Sequence, residues 1–260
     1  MQNRQRSKRW LGLGLAALVI GGSMTAPVRA QTPTAAIDPE AMAILKRATD
    51  FISGLQSFSF SALTTIEMVT DDGQKLQIDH DFVVDVKRPN MMRVVRVGEI
   101  INQDFYYDGK ALTLNLPEYN YYAIEAVPPT IDAMIPYARD KLKVFAPAGD
   151  LLETDAYARL SDGLTAARIV GDTVIGGVPC DHVAFRNPEV DWQIWVRQGP
   201  VPTVCKFAIT SKKFAQSPNF VATMTKWDTA AKFDDATFSF KPTAKSVKVP
   251  FITPIAAATN

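Results

Sequence analysis

The sequence predicts a mostly β protein in which one antiparallel sheet of about eleven strands curves strongly around a leading helix and a central helical insert. Three observations carry this. Apolar residues recur at steps of three and four over 38–55, then at steps of two in stretch after stretch, and at neither over 128–160. Such a change of period marks the passage from helix to strand. The long strands each show one polar and one apolar face, as antiparallel sheets do. Their apolar face has only the two helical regions to cover it, so the sheet has to bend around them.

The first thirty residues stand apart. Arg4, Arg6, Lys8 and Arg9 precede the apolar run LGLGLAALVIGG, and Val28-Arg29-Ala30 has small residues at both ends. This is the pattern of a secretory signal peptide cleaved after Ala30, and the run is too short for a membrane anchor. It predicts export to the periplasm. Without these residues the 28 basic residues fall to 23 against 27 acidic ones, about −4. A weakly acidic chain with no basic run predicts no nucleic-acid partner and no electrostatic grip on a membrane. Residues 31–37 read as a disordered lead, 38–245 as one domain, and 246–260 as a C-terminal tail.

Asp38-Pro39-Glu40 is a helix start, with an N-cap acid and proline at the first position. Met42, Leu45, Ala48, Ile52 and Leu55 form the apolar stripe that follows. Phe58, Phe60, Ala62, Ile66 and Met68 then alternate with polar residues up to the turn Asp71-Asp72-Gly73. Leu76, Ile78, His80, Phe82, Val84 and Val86 continue the apolar row, and only Val83 interrupts the polar one. Lys87-Arg88-Pro89-Asn90 turns the chain into MMRVVRVG, and Asp108-Gly109 makes a further hairpin before Leu112, Leu114 and Leu116. Tyr119, Tyr121 and Tyr122 fall on the next strand. Two short helices are expected over 130–143 and 149–160, with Pro136 breaking or kinking the first. Strands are expected over 165–175, 178–187, 190–198, 203–212 and 219–228, with Phe238-Ser239-Phe240 as a last short one.

The stretches LQSFSFSALTTIEM, FVVDVKRPNMMRVV and YYDGKALTLNLPEYN, following a leading helix, resemble the outer-membrane lipoprotein carrier family. The second half, GGVPCDHVAF to DWQIWVRQGPVP, resembles a family of predicted periplasmic proteins with the same fold, DUF2092. The resemblance implies an incomplete barrel closed by helices around an apolar cavity. It also implies a lipid or acylated lipoprotein as ligand, with an envelope protein as a further partner, and a monomer. The lining it implies draws on Phe58, Phe60 and Ile66 from the first strand, and on Ile78, His80, Phe82 and Val84 from the second. Met92, Leu112 and Leu114 follow, with Trp192, Ile194 and Phe207 from the second half. Carriers of that family hold an arginine in the cavity, and Arg93 and Arg96 both fall near its strand. A sensor or scaffold acting through protein contacts is the alternative.

Cys180-Asp181-His182 is the sharpest chemical signal. Neighbours on a strand face opposite ways, and Cys180 and His182 would lie about 6.5–7 Å apart, too far for a nucleophile and its base. With only His80 and His182 in the chain, a metal site lacks ligands. Two cysteines in an exported chain read as one disulfide, Cys180 to Cys205. In a plain meander those cysteines flank a middle strand at about 9.5 Å, so the bond requires that strand to stop near Arg197 or a bulge at Pro179. His80, on the apolar row, is either a buried satisfied histidine or a polar group placed for a ligand head. Tyr119, Tyr121, Tyr122, Trp192 and Trp195 are either core or a lipid or sugar platform, and of the two tryptophans at most one faces inward. No catalytic motif is present, so no enzyme activity, cofactor or metal is expected.

Overall fold

The structure, a computed structural model, describes residues 36–251. Helix α1 (Pro39–Gly54) starts where the sequence places it: the Asp38 carboxylate accepts the amide proton of Glu40 at 2.8 Å, ahead of Pro39. It buries Ala41, Leu45, Ala48 and Ile52. Two 13-residue strands follow, β1 (Ser57–Val69) and β2 (Lys75–Lys87). Gly73 turns between them at φ +85°, a conformation open to glycine. Next come β3 (Met91–Gly98), β4 (Gln103–Tyr107), β5 (Ala111–Leu116) and β6 (Tyr121–Ala126).

The insert holds α2 (Ile131–Asp140), a 3-10 turn at Gly149–Leu152, and α3 (Ala156–Ser161). Two expectations need correction here. Pro136 does not break the helix: α2 runs on through it, its sixth residue, without the one backbone bond that proline cannot donate. The helix expected over 149–160 is two pieces, because Thr154 turns out to bond the Asp132 carboxylate of α2 through both its amide and its hydroxyl.

The second half supplies β7 (Ala166–Ile175), β8 (Val178–Arg186), β9 (Val190–Arg197), β10 (Val204–Ser211) and β11 (Asn219–Asp228). The expected strand at 238–240 is not formed: Asp235–Phe238 is a 3-10 turn whose Phe238 is fully buried. Instead β12 (Val247–Lys248) pairs parallel to Tyr121 and Tyr122, inside the stretch read as a tail.

All twelve strands form one sheet, ordered β12-β6-β5-β4-β3-β2-β1-β11-β10-β9-β8-β7, and it does not close. The antiparallel β1–β11 pair joins the two halves of the chain. The two edges carry short parallel stubs, β12 against Tyr121 and Tyr122 of β6 and Ile37 against Ala167 of β7.

The disulfide is present between Cys180 and Cys205, with Cα atoms 6.8 Å apart. The geometry meets one of the two conditions read from the sequence. Strand β9 ends at Arg197, opposite Cys180, and a bulge on β10 pushes Cys205 out of the ladder between Val204 and Lys206. The bridge closes a loop of sequence separation 25. Loop-closure entropy of that length predicts that reduction, or a Cys180→Ser/Cys205→Ser double substitution, lowers unfolding free energy by about 3.5 kcal/mol. Urea titrations with and without reductant measure this; coincident midpoints would show that the bridge adds no stability.

Candidate functional site

The inner face of the sheet has two wings with different covers. Helix α1 packs across β7, β8 and β9. There Trp192 and Ile194 of β9, Phe207 of β10 and Phe185 of β8 are buried, with Trp192 stacked on Phe185 at 4.2 Å between ring centroids. The other wing, β1 to β6 with β10 and β11 beside it, faces the insert. Between the two lies a cavity of about 470 Å³.

Phe60 and Ile66 of β1, Phe82 and Val84 of β2, Met92 of β3, and Leu112 and Leu114 of β5 line this cavity. The structure moves the other expected residues out of the lining. Trp192 and Ile194 are buried on β9, which α1 crosses, and Phe207 is buried against Trp192. Phe58 is fully buried against Trp227, with the Arg88 guanidinium over its ring. Ile78 and His80 are buried toward the far end of β2. Their alternation is as expected; what differs is which cover lies over them.

Several lining residues had no place in the sequence reading. Phe220, Ala222 and Met224 of β11 line the cavity, and so does Trp227, which has the opposite parity. A bulge opposite Ser61/Ala62 explains it: Met224 pairs with Ala62 but Trp227 pairs with Phe60. One extra residue on β11 flips the alternation and brings the indole inward, where it stacks on Phe60 at 4.8 Å and donates to the Val204 carbonyl at 2.9 Å. The insert contributes Val144 to Gly149 and Leu151–Leu152, and the C-terminal end Val249 to Phe251. Neither stretch has a periodicity that could reveal a face.

The ambiguity between Arg93 and Arg96 is settled by register. Arg93 pairs with Asp85 on the outer face, where their side chains form an ion pair. Arg96 pairs with Phe82 on the inner face and lines the cavity. Its guanidinium donates to Gln103 Oε1 at 2.9 Å, contacts His80 Nε2 at 2.5 Å and lies over the Phe82 ring. Burial pulls the Arg96 pKa below its ordinary value. Burial, then the charge of Arg96, lowers the His80 pKa against the opposing pull of Asp79, so the imidazole is neutral near pH 7. Arginine only donates, so Nε2 accepts and the ring proton sits on Nδ1, which is buried without a partner. His80 is therefore a buried histidine, but not a satisfied one.

The ring has room only because residue 98 is glycine. A Cβ on Gly98 would fall 2.2 Å from the His80 ring.

The Cys180-Asp181-His182 triplet is dispersed. Cys180 is in the disulfide, Asp181 pairs with Arg47 of α1, and His182 bonds Gln193 and stacks on Trp195 at 4.0 Å. Trp195 thus faces out while Trp192 faces in. Among the described residues no group of three or more His, Cys, Asp or Glu side chains is placed to hold a metal.

A family model described as a predicted periplasmic protein, DUF2092, matches residues 41–252, the whole of the sheet and insert. The chain belongs to the DUF2092 family. The family is periplasmic by its description, and no described helix of this DUF2092 protein is long and apolar enough to cross a membrane. The expected signal peptide lies outside the described residues. No curated protein matches the sequence significantly. Among solved structures, it is similar to the lipoprotein LppX of Mycobacterium tuberculosis, at 16% identity over 76% of this chain and 100% of that one, TM-score 0.48. LprF of Mycobacterium bovis gives the same identity and TM-score over 76% and 96%. MucB in the Pseudomonas aeruginosa MucA/MucB complex gives 14% over 78% and 61%, TM-score 0.42.

Glu153, between the 3-10 turn and α3, is buried with one carboxylate oxygen on Arg159 at 3.1 Å and the other without a partner. Burial pushes its pKa up to about 7, Asp150 and Asp155 adding to the rise and Arg159 and Arg139 opposing it. A carboxyl whose folded pKa exceeds its unfolded value of 4.5 favours the folded state most at low pH. That contribution is lost as pH rises from 4.5 through 7. Glu153→Gln is expected to flatten the fall in thermal midpoint between pH 5 and pH 8 and to raise the midpoint at pH 8. An unchanged profile would show that Glu153 carries no such proton. Gly98→Ala is expected to cost about 1–3 kcal/mol by displacing His80, read by urea unfolding; a His80→Ala background should remove most of that cost.

Proposed function

We propose that this protein is a non-enzymatic periplasmic binding protein that holds a hydrophobic ligand, a lipid or the acyl chain of a lipoprotein, in the cavity beneath the insert. The observation that carries the reading is that cavity. Its volume of about 470 Å³ falls within the range of ligand sites, roughly 300–1,000 Å³. Its wall is built from the inward rows of β1 to β6 and from β11, and its cover from Met134, Ile135 and Ala138 of α2 and the irregular stretch that follows. An alkyl chain entering it gains about 0.8 kcal/mol per buried methylene. Phe60, Phe82 and Leu114 on the sheet, and Val144 and Leu151 on the cover, give such a chain apolar contact on both sides.

The residues whose chemistry could suggest catalysis are engaged elsewhere, which supports binding as the whole task. The protein acts as a monomer in this reading.

Solvent extraction of the protein purified from its native host, followed by mass spectrometry, is expected to yield a co-purifying lipid. Val94→Trp, which places an indole in the cavity from the middle of β3, should abolish that yield while leaving the far-ultraviolet circular dichroism unchanged. It should also weaken binding of an apolar fluorophore such as 1-N-phenylnaphthylamine by about tenfold or more, roughly 1.4 kcal/mol. A wild-type protein that yields no lipid and does not bind the fluorophore would refute cavity binding and favour a module that works through protein contacts.

A further inference from the structure

The charged residues of the cavity wall carry one sign. Among the described lining residues there is no aspartate or glutamate, and the only charged side chains are Arg96 and Lys143. Lys143 is exposed, where the cover begins. Arg96 is half-buried on the sheet, forms no ion pair among the described residues, and has its pKa lowered by burial. Every other inner-face position of β3 is apolar, so the cation is not part of an ion-pair row. Its outward neighbour Arg93, by contrast, has Asp85.

The contacts that hold Arg96 are both neutral. Gln103 takes one N–H and His80 another, leaving three of five donors unspent, Nε among them without a partner. A guanidinium keeps its charge when buried and favours a carboxylate or phosphate oxygen as acceptor. His80 and Gln103 hold its fork in position, and Gly98 admits the His80 ring. An unpaired cation in an apolar space is costly unless something entering that space brings the opposite charge.

We propose that Arg96 is the counter-charge for an anionic head group, and that the cavity selects single-headed anionic amphiphiles, a carboxylate or a phosphate monoester on an alkyl chain, over neutral and cationic ones. This rests on the cavity-binding reading and narrows it to a ligand class. Arg96 marks the head end, and the apolar wall of Phe60, Phe105 and Leu114 takes the tail.

The test is displacement of 1-N-phenylnaphthylamine from the mature protein by a twelve-carbon series, dodecanoate, dodecyl phosphate, methyl dodecanoate, dodecanol and dodecyltrimethylammonium. Dodecanoate or dodecyl phosphate, or both, should bind at least about tenfold more tightly than dodecanol, with the cation weakest. Comparing the two anions distinguishes a carboxylate from a phosphate monoester head group. Arg96→Leu should weaken the anions by about the same factor and leave dodecanol unchanged or improved. Arg96→Lys, which keeps the charge without the fork, should fall between. If wild-type protein binds dodecanol or methyl dodecanoate as tightly as dodecanoate and dodecyl phosphate, the head-group proposal fails while the apolar cavity stands, and an equal loss for all five compounds in Arg96→Leu has the same meaning. If none of the compounds displaces a bound probe, the head-group proposal fails while the apolar cavity stands; if the probe itself does not bind, both readings fail. The wild-type comparison decides the matter even if Arg96→Leu does not fold.

Discussion

The structure depends on covering one apolar face. Strands β1 and β2, each 13 residues long, present a mostly apolar inner row that water would oppose, and ten further strands extend it on both sides. A 16-residue helix can cover only part of so wide a surface. Helix α1 covers its part tightly: Ala41 and Ala48 let its backbone approach, and the large residues Trp192 and Phe185 fill the space beneath. The remaining wing is left to the insert, where one face of α2 and the irregular stretch Ala146, Pro147, Ala148 and Gly149 line the cavity. Small side chains on an irregular backbone span the wing without filling it. The cavity is thus the product of two unequal covers on one continuous sheet.

Within that face a polar trio stands where apolar residues would pack more cheaply. His80, Arg96 and Gln103 sit on adjacent strands at neighbouring inward positions, and Gly98 gives up its side chain to admit the histidine ring. Three strands each surrender an apolar position to the same spot. A buried network with unsatisfied members weakens a core, so its presence beside an otherwise apolar cavity is a cost attached to one place. The orphaned Glu153 oxygen in the insert is a second such cost, on the covering side.

Most of the fold was legible. The Asp38-Pro39 start, the turns at Gly73 and Gly109, and the period-two rows from Phe58 to Leu116 and from Ala166 to Asp228 are local signals, and the strands form where those signals place them. The disulfide was legible too, and of the two conditions read for it, a β9 that stops near Arg197 or a bulge at Pro179, the first is met. The errors fall where a distant contact overrides a local pattern: Thr154 on Asp132 divides the second insert helix, Phe238 enters the core from a turn, and Val247 and Lys248 complete an edge without any periodicity.

Alternation told which side chains share a face, because successive residues on a strand point opposite ways, and so it assigned Phe60, Phe82, Leu112 and Leu114 to the interior. It could not tell which part of that interior stays hollow, since this depends on what crosses above. Trp192, Ile194 and Phe207 share the inward face and are buried away from the cavity all the same. Nor could it choose between Arg93 and Arg96, which needs the register of β3 against β2, or bring Trp227 inward, which needs the bulge on β11. The strand order, the split between a packed and an unfilled wing, and the arginine that the sheet turns toward the cavity arise from pairings between residues far apart in the chain, and only the tertiary structure decides those.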